Sequence, residues 1–132
     1  MQTTLKSAAR FAGTGLHTGR AVRVTVHPAP ADSGIVFRRT DRDFFDRIIP
    51  ARWDAAQEAD LCTLLTNDAG ASVSTVEHLM AALAGCGISN ALIDIDGPEV
   101  PLLDGSAAPF VRGFLSCGIQ RLDASQRAIE VL

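Results

Sequence analysis

The chain has 132 residues, 47% of them hydrophobic, with 12 Lys and Arg against 15 Asp and Glu for a net charge of −3. That length and apolar content make one domain with a real core, and a pI near 5.5 gives no basic field to draw nucleic acid. No stretch approaches the ~20 apolar residues of a membrane span, the N-terminal residues lack the apolar core of a secretion signal, and three scattered cysteines (Cys62, Cys86, Cys117) with no C-x-x-C pair argue against a disulfide frame or a Cys-based zinc knuckle.

The expectation is therefore a cytoplasmic domain. Gly13, Gly15 and Gly19 predict an early strand and hairpin. Val22, Val24 and Val26 then alternate with Arg23, Thr25 and His27, the period of a half-buried strand that Pro28 ends. The turn Asp32-Ser33-Gly34 precedes a second strand at Ile35-Val36-Phe37-Arg38. Residues 41–60 read as an irregular, polar connection. Arg38, Arg39, Arg42 and Arg47 are interleaved here with Asp41, Asp43 and Asp46, which leaves two readings: a self-neutralising solvated loop or an anion-contacting patch. Residues 61–66 read as a strand, closed by the turn Asn67-Asp68-Ala69-Gly70.

A first helix follows. Ser74 is placed as its N-cap, Glu77 three residues later completes a capping box, and Gly85 stops it. Val76, Leu79, Met80 and Leu83 form the apolar stripe, so His78 faces away from the core, beside Ala81 and Ala82. An adjacent carboxylate and imidazole suit a metal-assisted hydrolase: the His holds the metal and the Glu takes a proton from water. A plainer reading stands beside it, with Glu77 as half of a capping box and His78 as a solvated surface residue. His17 and His27 are in principle available to complete a three-His site.

Residues 91–95 form a strand broken at Gly97-Pro98. A second helix starts near Ser106 as N-cap, with Pro109 in its first turn, Gly118 as its stop, and Phe110, Val111, Phe114 and Leu115 on its apolar face. Residues 119–122 make a short strand, and a new apolar run opens at 128. The sum is an α+β domain: a small mixed or antiparallel sheet of about four to six strands packed against two α-helices.

Five stretches carry a resemblance to a known family: residues 13–19, 37–41, 61–63, 74–85 and 98–110. In that order they resemble the UDP-3-O-acyl-N-acetylglucosamine deacetylases of lipid A biosynthesis. The Thr75-Val76-Glu77-His78-Leu79 and Asp104-Gly105-Ser106-Ala107-Ala108-Pro109-Phe110 blocks are the most specific. The resemblance implies a zinc-dependent amidohydrolase of two similar domains with the active site between them. Glu77 would be the general base, His78 a Zn2+ ligand, and Leu16, Leu61 and Cys62 the lining of the cleft. Ser106 caps the second helix, and Asp104-Gly105 is the turn that launches it.

In the family a second domain supplies the other zinc ligands, a catalytic His, an oxyanion-stabilising Thr and the acyl-chain passage, none of which is in these residues. Residues 1–127 thus read as the N-terminal-like domain, and 128–132 as the opening strand of the second. The expected substrate is the UDP-linked acylated amino sugar, and the expected partner is the missing domain or a chain that carries it. The alternative is a free-standing, non-catalytic relative that binds a partner. A homodimer through the bare face is a third account.

Overall fold

The computed structural model describes residues 1–43, 47–51, 56–59, 62–67 and 69–123. In it the valine alternation becomes β3 (Ala21–Pro28), with Val22, Val24 and Val26 buried and Arg23 exposed. β2 (Ala9–Thr14) pairs antiparallel with it across the glycine-rich turn, Phe11 opposite Val24. On the other side of β3 lies β9 (Ala91–Ile95), antiparallel, and beyond that β4 (Ile35–Arg39), parallel to β9. β5 (Ile48–Pro50) closes the edge, so this sheet runs β2-β3-β9-β4-β5.

The parallel β4–β9 pair requires a long crossover. The chain spends it on β5, on the sheet of β6 (Ala56–Ala59), β7 (Cys62–Thr66) and β8 (Ser72–Ser74), and on helix α1 (Glu77–Gly85). After β9 comes α2 (Ala108–Cys117), and then β10 (Ile119–Arg121) pairs antiparallel with β1 (Thr3–Leu5). The α+β class and the two helices match the expectation. Ten strands among the described residues, arranged as sheets of five, three and two, exceed it. Residues 41–60, expected to be irregular, hold β5 and β6. Segments this short become strands only through their partners, as when Ile49 lies opposite Phe37.

One contiguous core joins the sheet residues Val24, Val26, Phe37, Ile93 and Ile95 to Leu79 and Leu83 of α1 and Phe110 and Phe114 of α2, all at most 1% exposed. Phe11 of β2 meets the edges of the Phe110 and Phe114 rings at centroid distances of 4.9 and 5.7 Å. Gly113 makes that approach possible, because a Cβ there would stand 2.6 Å from the Phe11 ring. Leu115, expected on the apolar face, is 62% exposed. It lies ~100° around the helix from Phe114, which turns it outward.

Both helix starts differ from the cap rules. α1 begins at Glu77 with Val76 as N-cap and no side-chain cap, and Ser74 is the last residue of β8. The Ser74 backbone is held in extended pairing instead: its N–H donates to Pro98 O at 2.8 Å and its carbonyl accepts from Val100 N at 3.1 Å. The N-cap of α2 is Ala107 rather than Ser106, but the Ser106 hydroxyl still accepts from Ala108 N at 3.2 Å, while Asp104 accepts from Ser106 as the launching turn.

The helix stops lie close to their expected places. Gly118, at φ 85°, ends α2. At the end of α1, Gly85 is the last helical residue and Gly87, at φ 71°, makes the left-handed exit. Ile88 N donates to Leu83 O and Gly87 N to Ala84 O, a Schellman closure. Leu61 and residues 128–132 lie outside the described residues.

Candidate functional site

From β8 the chain turns sharply into α1 at Thr75, which is buried and holds a φ of 59°. A β-branched residue in the left-handed region is strained. Its side chain explains the tolerance: Thr75 Oγ1 donates to Glu99 Oε2 at 2.9 Å. Val76 follows, then Glu77 and His78 as the first two residues of α1, both half-buried. An anionic side chain in the first turn suits the positive end of the helix dipole. The expected stripe holds at Val76, Leu79 and Leu83, but Ala82, expected beside His78 on the open face, is 0% exposed. α2 packs against α1, and Ala82 belongs to the shared core.

Glu99 is the residue that the motif reading passed over. It is 1% exposed and parallel-bridged to Ser74. Its carboxylate accepts from His17 N at 3.0 and 3.1 Å and from Thr18 N at 2.9 Å. Burial works against the charge, but the N–H groups of Thr18 and His17 and the hydroxyls of Thr75 and Thr18 outweigh it, and its pKa lies below the ordinary Glu value. Gly15 is what lets the turn come so near: a Cβ there would sit 2.2 Å from Glu99 Oε1. At the tip of the same turn Leu16 is 56% exposed and His17 is exposed. An acid lodged between Pro98 and Val100-Pro101 was the one available signal, since a buried carboxylate must find donors.

The other predicted residues are less gathered. Cys62 opens β7, but its side chain, like Leu61, lies outside the described residues. His27 is committed elsewhere: its Nε2 is 3.0 Å from Asp94 Oδ2, and Arg38 donates to both Asp94 oxygens at 2.5 and 2.8 Å. Arg39, 6% exposed, donates to both oxygens of Asp41 and to Ser72 O. The self-neutralising reading of the arginine cluster thus describes Arg38 and Arg39, though Arg38 takes its partner from β9.

Among the described residues no three His, Cys, Asp or Glu side chains gather as a metal site, so the three-His site is not formed. A catalytic zinc takes three protein donors and water, and the described residues do not by themselves fit that ion. No described helix is long and apolar enough to cross a membrane.

The sequence profile of UDP-3-O-acyl N-acetylglycosamine deacetylases matches residues 2–132. Proteins named UDP-3-O-acyl-N-acetylglucosamine deacetylase are similar along almost the whole chain. That of Phenylobacterium zucineum is 50% identical over 131 residues, covering 99% of this chain and 45% of the relative. Those of Vibrio cholerae and Aliivibrio fischeri are 49% and 47% identical over 134 residues, covering 98% of this chain and 42% of each relative. The chain spans less than half the length of these relatives.

Proposed function

The chain belongs to the UDP-3-O-acyl N-acetylglycosamine deacetylase family, and from that membership we propose that it supplies one half of a hydrolytic centre. The reaction is removal of the N-acetyl group from UDP-3-O-acyl-N-acetylglucosamine, in the cytoplasm, on the route to lipid A. Water attacks the amide carbonyl, the C–N bond breaks, and acetate and the free amine leave. Glu77 is the general base that takes the proton from the attacking water. His78 would be one donor to a zinc ion, with the other donors supplied from outside these residues. Bound there, zinc would act as a Lewis acid on the amide oxygen.

The observation that carries the reading is the placing of Glu77 and His78 side by side at the head of α1, half-buried and open enough to be met by a second body. Leu16, Leu61 and Cys62 are assigned to the cleft wall on this side, and the exposed position of Leu16 supports that assignment. The substrate and the second half are parts of the same proposal.

The test joins this chain to the remaining length of the family in one polypeptide and measures acetate release and zinc content. Glu77→Ala is expected to lower turnover by roughly 10²–10⁴-fold with zinc retained. His78→Ala is expected to lower both. Unchanged zinc and turnover in His78→Ala would overturn the ligand assignment. Absence of turnover in the joined wild type would favour the non-catalytic binding module.

A further inference from the structure

Glu99 brings together two pieces of chain that are far apart in sequence. Its carboxylate takes the backbone N–H groups of His17 and Thr18 at 2.9–3.1 Å from one side and the Thr75 hydroxyl at 2.9 Å from the other. Its own backbone is fixed by the bridge to Ser74. We propose that Glu99 is a positioning residue, a strut that locks the Leu16–His17 turn to the head of α1 and so sets where Glu77 and His78 stand. The proposal rests on the deacetylase reading for its consequence in catalysis.

Several features suit a carboxylate here and no other group. Every contact on its two oxygens is a donor, and an ionised carboxylate is the one side chain that only accepts. Gln would aim an NH2 group at N–H donors. The charge is kept in a nearly closed site, consistent with the lowered pKa. Thr75 sits at φ 59°, a strained conformation that its bond to Glu99 offsets, and it lies only two residues before Glu77. Gly15 leaves the oxygen room. A shift of the turn is therefore passed through one carboxylate and one hydroxyl to the first turn of α1.

The test compares Glu99→Gln and Thr75→Val in the 132-residue chain. It reads amide exchange at His17 and Thr18 together with the ring resonances of His78, using the His27 ring, held by Asp94, as internal control. Glu99→Gln is expected to speed exchange at His17 and Thr18 by tenfold or more and to shift the His78 ring while His27 stays put. Thr75→Val, which removes one donor and keeps the shape, is expected to shift His78 in the same direction, and it decides the matter if Glu99→Gln does not fold.

In the joined enzyme the same variants are expected to lower kcat while KM stays within twofold. Faster exchange in the turn with an unmoved His78 ring in both variants overturns the strut. A joined wild type without turnover overturns the deacetylase reading instead, and the ring resonances still decide the strut.

Discussion

Two of the buried polar knots among the described residues are built from opposite chemistry. One is centred on Asn90 and the other on Glu99, each 1% exposed. The amide of Asn90 both gives and takes: it donates to Gln2 Oε1 at 2.9 Å and accepts from Gly34 N at 2.9 Å. Beside it, Thr4 donates to Asn90 O and accepts from Ala29 N. This knot staples β1 to the loops flanking β3, β4 and β9. The carboxylate of Glu99 only takes, and its donors belong to the exposed turn and the head of α1. A neutral knot can serve stability alone, whereas a satisfied buried charge fixes one arrangement of the turn and the helix head that it joins.

Breaking the neutral knot should have the largest effect on stability and none on the site. Asn90→Ala removes the side-chain bonds to Gln2 Oε1, Thr3 O and Ser89 Oγ and the one from Gly34 N, and at roughly 0.5–1.5 kcal/mol for each hydrogen bond the loss is about 3 kcal/mol. Urea unfolding measures it, and the His78 ring resonances should be unchanged. A shift of His78 of the size expected for Glu99→Gln would erase the distinction between the two knots.

Glu99→Gln should cost less, about 2 kcal/mol at neutral pH, because the shape is kept and one oxygen remains an acceptor. The sign of its pH dependence separates the knots. The folded pKa of Glu99 is held below the ordinary 4.5, so its contribution is fully present above that value and is lost as pH falls through the folded-state value. Wild type and Glu99→Gln should therefore converge in urea midpoint as pH is lowered below 4.5. Asn90→Ala should keep its deficit throughout, since no proton is involved. A gap between wild type and Glu99→Gln that persists unchanged into acid would show that the charge is not what the turn requires.

The same contrast explains what was legible in the chain. Local rules succeeded where the cause is local. The alternation of Val22, Val24 and Val26 marks a half-buried strand, Gly118 stops α2, and Asp104-Gly105-Ser106 turns the chain into it. The Glu77–His78 pair is adjacent in sequence and stays adjacent in space at the start of α1.

The failures share a different cause. Ser74 has the chemistry of an N-cap, but pairing with residues 98–100 holds it in a strand, so tertiary structure decides against the local preference. β5 exists because β4 offers it an edge. Glu99 meets His17 across 82 residues of chain, and no spacing rule reaches that far. Its position inside an apolar run says that it must be satisfied, but not by what.

A further cluster, charged but less buried, sharpens the comparison with the smallest expected effect. Asp94, between Arg38 and His27 on neighbouring strands, also has a pKa below its ordinary 3.8: burial opposes the charge, but the Arg38 hydrogen bonds and field overcome it. Its side chain is 18% exposed, and those of Arg38 and His27 are 30% and 35%. Water and salt reach this cluster, so Asp94→Asn should cost under about 1 kcal/mol near neutral pH. That cost should fade as pH drops below 3.8, the same sign as for Glu99.

Ionic strength then tells the two carboxylates apart. Raising salt from about 0.1 to 1 M shortens the screening length from roughly 10 to 3 Å and should remove most of the Asp94→Asn deficit. The Glu99→Gln deficit should barely move, because its donors are uncharged backbone N–H groups and hydroxyls and Glu99 is 1% exposed. If salt weakened both equally, Glu99 would be behaving as a surface ion pair, and the turn that carries Leu16 and His17 would have to be held by something other than that carboxylate.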